Sequence, residues 1–346
     1  VGDFDIVTIA KIAPSHLLGL QAHLLESVAT RQCAPILLIY SMPGKMLSLG
    51  RYHLYDGPIE RGGLTAWRRF TGGRVVGSGE GWIGIALILP SRAALLPERD
   101  AKLKPDQVMN RYVRGILRGL RSLGLECFYP GRDAITFERR EIAMCTFETD
   151  PSGAMLFEAA LAVNRGMEEV VHELEYFDPA GQLTCPMYGP DAATKLVREI
   201  DRDVAFGEVA DAIASGYTEL FGGANRRELS PLESAQADRR CNALEQRGWL
   251  KLSGAGTVSS RVASQLGSIE VRARLSANCI VERIGLFGDF IANSPGVGEF
   301  ESEMLGKTLD LTSVSAAVMK VFGGGENFIL GLGDLSELIK LVTRAQ

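Results

Sequence analysis

The sequence predicts an α+β protein with a small α+β domain appended at its C-terminus, and two observations carry that expectation. Short apolar runs bounded by turn residues and capped amphipathic helices follow one another along most of the chain. The pattern then restarts beyond Ser253–Ser260 (SGAGTVSS), a small, polar, glycine-containing stretch that reads as a linker. The expected organisation is a main domain over 1–252 and an accessory domain over 261–346.

The elements follow in order. Ser15 precedes Leu17, Leu20, Leu24 and Val28, which share one face of a helix. Pro35–Tyr40 and Met46–Leu49 are short strands on either side of a turn at Ser41–Gly44, and Trp82–Leu89 (WIGIALIL) is a buried strand. Asp106–Leu123 is the clearest helix. Its apolar face carries Met109, Tyr112, Val113, Ile116 and Leu120, its arginines (Arg111, Arg114, Arg118, Arg121) form a solvated face, and Gly124 stops it. Strands are expected at Ala134–Phe137, Glu141–Cys145 and Ala154–Val163. A helix marked by Val209, Ile213, Tyr217 and Leu220 follows, and then one opened by the capping box Ser230-Pro231-Leu232-Glu233. In the tail, Ile269–Leu275 alternates, Ile280–Phe287 is another strand, and Asp334 caps a last helix through Val342.

Composition narrows the function classes. The 346 residues are 46% hydrophobic and 23% charged, as in an ordinary globular protein. A net charge of −5 and no basic stripe exclude a general attraction to nucleic acid or anionic lipid. The longest apolar run is far short of the roughly 20 residues that cross a bilayer. The six cysteines (Cys33, Cys127, Cys145, Cys185, Cys241, Cys279) contain no C-x-x-C pair, so free thiols in a cytoplasmic setting are expected. The chain begins at Val1, from which a start methionine or tag is expected to have been removed, and no signal-peptide pattern is visible.

One segment carries chemistry. Gly62–Leu89 reads GGLTAWRRFTGGRVVGSGEGWIGIALIL, with arginines, a threonine and glycines just before the buried strand. Glycines let backbone N–H groups approach an anion, and arginine supplies a fork matched to phosphate. A glycine-rich hairpin with surface arginines has the same composition. Context adds specificity. Arg68-Arg69-Phe70-Thr71-Gly72-Gly73-Arg74-Val75-Val76, Ser48-Leu49-Gly50-Arg51-Tyr52 upstream, and Gly131-Arg132-Asp133 downstream together resemble the lipoate–protein ligases of the biotin/lipoate protein ligase superfamily. The capped helix at Ser230 with Trp249 after it fits, and Gly288-Asp289-Phe290, Leu305-Gly306 and Leu330-Gly331 resemble the accessory domain of these ligases.

The resemblance implies a mixed, largely antiparallel sheet flanked by helices, as in class II synthetase-like ligases. It also implies that ATP and lipoate or octanoate give an acyl-AMP, from which a lysine of an acceptor lipoyl domain displaces AMP. The site residues it implies are Arg69, Thr71, Gly72, Gly73, Arg74, Val75, Val76, Gly77, Arg132 and Asp133, with Arg69 and the backbone of Arg74–Gly77 on the nucleotide phosphate. Val75, Val76 and Leu87 would form part of an acyl-chain wall.

Three departures stand against this. The family's catalytic lysine position is occupied by Glu141, a charge reversal; two like charges about 4 Å apart at an effective dielectric near 20 cost roughly 4 kcal/mol. Val75-Val76-Gly77-Ser78-Gly79 lacks the family's histidine and aspartate, so a magnesium ion beside the phosphates would find fewer ligands, and no other metal is expected. Asp133 stands where the family has asparagine, and Ala134 where it has aspartate. An acyltransferase route would need a reactive cysteine. Cys127 and Cys145 are the candidates, and burial in the core is the expected role of each. His53 is expected in a solvated loop near the ligand mouth, His16 and His23 partly exposed, and Trp67 and Trp82 in the core. Two readings stay open: a ligase or transferase with a remodelled site, and a non-catalytic relative that binds lipoyl or acyl groups or a lipoylated partner.

Overall fold

A computed structural model describes residues 3–95, 103–178, 181, 192–249, 251–254 and 256–345. Cys185 and the Ala255 position of the expected linker lie outside the described residues. The strands are β1 (Phe4–Ile9), β2 (Ile36–Tyr40), β3 (Lys45–Leu49), β4 (Glu60–Arg61), β5 (Leu64–Arg68), β6 (Val76–Gly79), β7 (Trp82–Leu89) and β8 (Ala134–Phe137). After them come β9 (Arg140–Thr149), β10 (Met155–Ala162), β11 (Ala224–Arg226), β12 (Val258–Ala263), β13 (Ser268–Leu275), β14 (Val281–Gly288), β15 (Ile291–Ala292) and β16 (Ile329–Leu330). The helices are α1 (Pro14–Ala29), α2 (Pro105–Ser122), α3 (Met167–Phe177), α4 (Leu196–Ile200), α5 (Phe206–Phe221), α6 (Pro231–Gln246), α7 (Ser294–Met304), α8 (Leu311–Phe322) and α9 (Leu335–Thr343).

A seven-stranded sheet in the order β11-β1-β2-β7-β10-β9-β8 forms the centre. It is parallel only where β1 meets β2 and β11, and antiparallel elsewhere, so the expected mixed, largely antiparallel sheet flanked by helices is the fold observed. Its strands are apolar on both faces because both are covered. On one face α2 and α5 bury Tyr112, Ile116, Ile213 and Tyr217 against Leu87, Phe147 and Phe157. On the other, α1 and α6 pack Leu17, Leu24 and Ala237 over Leu38, Ala86 and Ile88. A smaller sheet, β4-β5-β3-β6, crosses the edge of this face and runs into β7 through a tight turn at Gly81. The C-terminal β12-β13-β14 sheet packs α7, α8 and α9 around Phe290, Phe300 and Val318.

Two local expectations change. The arginine–glycine run is not a glycine-rich hairpin with surface arginines, because Arg68 ends strand β5, paired with Leu49 in β3, and Arg68, Arg69 and Arg74 are all buried. Leu64 and Ala66 alternate too briefly to mark a strand by pattern alone. The expected linker is only partly one: Val258, Ser259 and Ser260 belong to β12, with Ser260 opposite Val271. Its pairing there is specified by the alternating strand β13 rather than by its own small polar residues.

Candidate functional site

The two sheets leave a slot between them. Its walls include Ser48 from β3, Trp67 from β5, Val76 and Ser78 from β6, Trp82 from β7, Met144 and Thr146 from β9, and Glu158 from β10. The space between atoms totals about 420 Å³, but only about 30 Å³ admits a water-sized body, so the slot is narrow. Aromatic rings narrow it. The Trp82 indole lies over Gly77 so closely that a Cβ there would sit 2.5 Å from the ring. Of the apolar residues expected around an acyl chain, Val76 lines the slot. Val75 packs in the small cluster beneath it and Leu87 in the main core.

Arg69 stands at one side of the slot, buried. Its Nη1 donates to the Ser48 carbonyl (2.8 Å), and its Nη2 to the carbonyls of Gly72 (2.7 Å) and Arg74 (2.6 Å). It therefore braces the glycine loop from inside. Burial lowers its pKa to about 10, against the raising effect of Glu158. Glu158 is buried and accepts from Thr71 Oγ1 (2.6 Å) and Gln21 Nε2 (2.7 Å), which ties α1, the loop and β10 together. Burial pushes its carboxyl up, while Thr71 and Arg69 pull it down.

Arg74, at the far end of the loop, turns to a different set. Its Nε donates to Asp133 Oδ2 (2.5 Å) and its Nη2 to both carboxylate oxygens of Glu141 (3.0 Å each). All three residues are 4% exposed or less. Glu141 is thus the ion-pair partner of Arg74. Its register is set by β9, where its backbone also bridges Ala193. Burial pushes the Glu141 carboxyl up to about 7, with Arg74 opposing and Asp133 adding to the rise. Arg132, beside Asp133, is exposed, and its carbonyl accepts from Tyr129 Oη.

The C-terminal elements close over the loop. Gly73 adopts φ +87°, a left-handed conformation open to glycine, and its N–H donates to the Phe290 carbonyl (2.7 Å). A Cβ on Gly72 would fall 2.2 Å from that same oxygen, so both glycines are required by the approach of this segment. Thr146 Oγ1 also donates to the Gly72 carbonyl (3.1 Å). Tyr52 stacks on Phe290 with ring centres 4.4 Å apart, and Glu148 accepts from the Ser294 N–H at the start of α7 (2.6 Å). His53 is not solvated: it is buried and donates from Nε2 to Asp289 Oδ1 (2.7 Å). The Gly-Arg-Tyr that precedes it gives no sign of this, because its partner lies 236 residues away.

The remaining candidates take structural places. Cys145 packs in the main core, and burial raises its thiol well above its usual value; burial raises Cys127 to about 12. Neither is an activated nucleophile. No group of three or more potential metal ligands occurs among the described residues. The sequence reading missed Glu158, Gln21, Thr146 and Glu148, and it took Asp289 only as part of the accessory-domain resemblance, not as the partner of His53. Glu158 did leave a signal, a lone acid in the otherwise apolar strand MLFEAALA. A charge there must be buried and partnered.

With this geometry in place, comparison with known proteins identifies the lineage. The chain resembles the structure of P. falciparum LipL1 in complex with lipoate, with a TM-score of 0.72 and 13% identity over 99% of each chain. It resembles the structure of Ta0514 from T. acidophilum with bound lipoic acid, at a TM-score of 0.54 and 15% identity, covering 72% of this chain and 99% of that one. A lipoate–protein ligase A bound with ATP matches at 0.52 and 16%, covering 70% and 94%. At these identities the likeness is one of fold. No curated protein matches the sequence. The lipoyl protein ligase A/B catalytic domain matches residues 13–218, and this chain belongs to that family.

Proposed function

We propose that this protein holds a lipoyl or octanoyl group in the slot between its two sheets and does not make an acyl-adenylate. The observation that carries this reading is the ion pair of Arg74 with Glu141, where the family has its catalytic lysine. Adenylation builds negative charge on the α-phosphate and the acyl oxygen, and needs uncommitted cations and N–H donors aimed there. Here Arg74 donates to two carboxylates, Arg69 to three carbonyls, and the Gly73 N–H to Phe290. That arrangement does not fit an ATP–magnesium complex, and Ser78 and Gly79 add no carboxylate for a metal. The slot, by contrast, is mostly apolar, as an acyl chain requires, and its aromatic walls must part to admit one. The natural carrier of such a group is a lipoyl domain.

A second reading, an adenylate-forming lipoate– or octanoate–protein ligase, is favoured by one observation. The whole run Arg68–Arg74 is retained, and Thr71 is held in place by Glu158. One experiment separates the two. The full chain is mixed with lipoate, ATP, Mg²⁺ and a lipoyl domain, the domain's mass is followed, and quenching of Trp67 and Trp82 fluorescence reports slot occupancy. The expected result is quenching without a mass gain. A mass gain transfers the case to the ligase reading, and absence of quenching by any acyl ligand removes the slot. In the Glu141→Lys variant, which restores the family's cation, AMP release is expected to rise above the parent; a fall would give Glu141 an active role.

A further inference from the structure

A strand at the margin of a sheet carries a row of backbone N–H and C=O groups that a further strand can bond, and folded chains cover, shorten or charge that row. The margins of this molecule follow that rule except at one place. β11 is three residues long and β4 two. β8 is bonded on its outer side by Phe128, whose N–H donates to the Thr136 carbonyl (2.7 Å) and whose carbonyl accepts from the Thr136 N–H (2.8 Å). α3 packs on β6. β14 is closed near both ends, where Gly288 N–H donates to the Tyr52 carbonyl (3.0 Å) and Val281 N–H to the Lys307 carbonyl (2.8 Å). β12 has β13 on one side and no strand on the other among the described residues. It is six residues long (VSSRVA), contains no proline and no register shift, and carries Arg261 as its one charge.

The apolar layer is unfinished along the same margin. α7 lies over β14 and α9 over β12 and β13, with α8 between them. Val258 and Val262 on the helix-covered face of β12, and Leu335 and Ile339 on α9, pack against the C-terminal core but stay only partly buried. A further strand and helix beside them would complete their burial. We propose that β12 is the seat of a symmetric dimer, in which a second copy of this chain adds its own β12 antiparallel and joins the two three-stranded sheets into one of six.

Symmetry restricts the register. A two-fold axis perpendicular to the sheet keeps each side chain on its own face and pairs one residue with its own copy. Arg261 in that position would oppose two like charges. Ser260 in that position sets Val258 against Val262 of the second copy on the helix-covered face and Ser259 against Arg261 on the open face, with Val258–Val262 overlapped throughout. The same axis runs α9 antiparallel to its copy. Asp334 and Glu337 stand at the N-terminal end of α9, Lys340 and Arg344 at its C-terminal end, so acid meets base across the axis. A second copy carries this complementarity, and an unrelated extended peptide does not. Neither β12 nor α9 contributes a described residue to the slot, so the surface is independent of what the slot holds.

Sedimentation equilibrium of the full chain at micromolar concentrations is expected to show a reversible monomer–dimer mixture. Ser259→Arg, at an exposed position, opposes Arg261 of the second copy twice across the axis and should weaken association about 10-fold, whereas Ser259→Glu should tighten it. Ser260→Cys reads the register. Directly opposed residues of antiparallel strands have Cα atoms about 4.5–5.5 Å apart, a span that a disulfide bridges. Mild oxidation should therefore give a covalent dimer of Ser260→Cys well above the level of the parent and of Ser259→Cys. Thermal melting checks that each variant is folded, and the conservative Ser260→Cys carries the test should Ser259→Arg lose stability. A chain that stays monomeric at every concentration overturns the proposal. So does a dimer indifferent to both Ser259 substitutions whose Ser260→Cys form fails to cross-link, because its contact then lies elsewhere.

Discussion

The slot and the ion cluster beside it lie at two ends of one loop, and they are built on opposite principles. At the slot end, Arg69 is buried against neutral carbonyls and its charge is only partly answered, by Glu158 nearby. At the cluster end, Arg74 is buried against two carboxylates. Both arginines come from one motif, five residues apart, so the motif alone does not fix what an arginine does. The partners do, and those partners lie on β9 and in the turn before β8, about 60 residues downstream. Glu141 therefore makes the arginine across from it half of a buried ion pair rather than a cation turned to the slot.

The sharpest way to break this comparison is to remove Arg74. Arg74→Ala leaves Asp133 and Glu141 buried without their cation, and the loss of one partner of a buried pair costs about 3–5 kcal/mol. Urea unfolding of the variant should show a loss of that size. The double variant Arg74→Met with Glu141→Gln should recover part of it, because one of the two uncompensated carboxyl groups is gone and Asp133 alone is left. If the single and double variants unfold alike, the cluster is not an ion pair of structural weight, and Arg74 returns to the pool of ligand-binding cations.

A smaller change tests the slot side. Gly77→Ala places a methyl against the Trp82 indole, and overpacking of this kind costs about 1–3 kcal/mol. Acyl ligand affinity should fall with it, because the indole has to shift within the slot. An alanine variant of unchanged stability and unchanged affinity would show that the indole moves freely, and that the narrowness of the slot is not a property of its walls.

How much of this could be read from the sequence depends on how far apart the interacting residues lie. Strand β7 and helix α2 were legible almost to the residue, since Trp82–Leu89 and Pro105–Ser122 carry their periodicity within themselves. The mixed sheet and the family came through the resemblance of the arginine–glycine run, and both hold. What stayed hidden was pairing at long range. Nothing near Arg74 announces Glu141, 67 residues on, and nothing near Gly73 announces Phe290. The glycines looked like a phosphate cradle; in the structure their missing side chains also admit the backbone of the C-terminal segment. One composition serves both ends, because each needs a backbone N–H approached closely.

The last expected effect, which vanishes at one end of the pH range, concerns the seam between that segment and the main sheet, and it separates a charged contact from a merely polar one. Glu148 accepts from Ser294 at the N-terminus of α7 and faces Arg51 and Asp150; burial pushes its carboxyl up to about 7. A carboxyl whose folded value is raised above its unfolded one stabilises the fold relative to its ionised form at low pH, and that advantage is lost as pH rises through about 7. Glu148→Gln keeps an acceptor for Ser294 and removes the charge. The variant should match the parent near pH 5, where the parent's carboxyl holds its proton. It should exceed the parent by about 1–3 kcal/mol at pH 8, read as a gap in Tm that opens across that interval. A gap constant with pH would mean that Glu148 contributes only its hydrogen bond, and that the seam, unlike the cluster around Arg74, is held without a titrating charge.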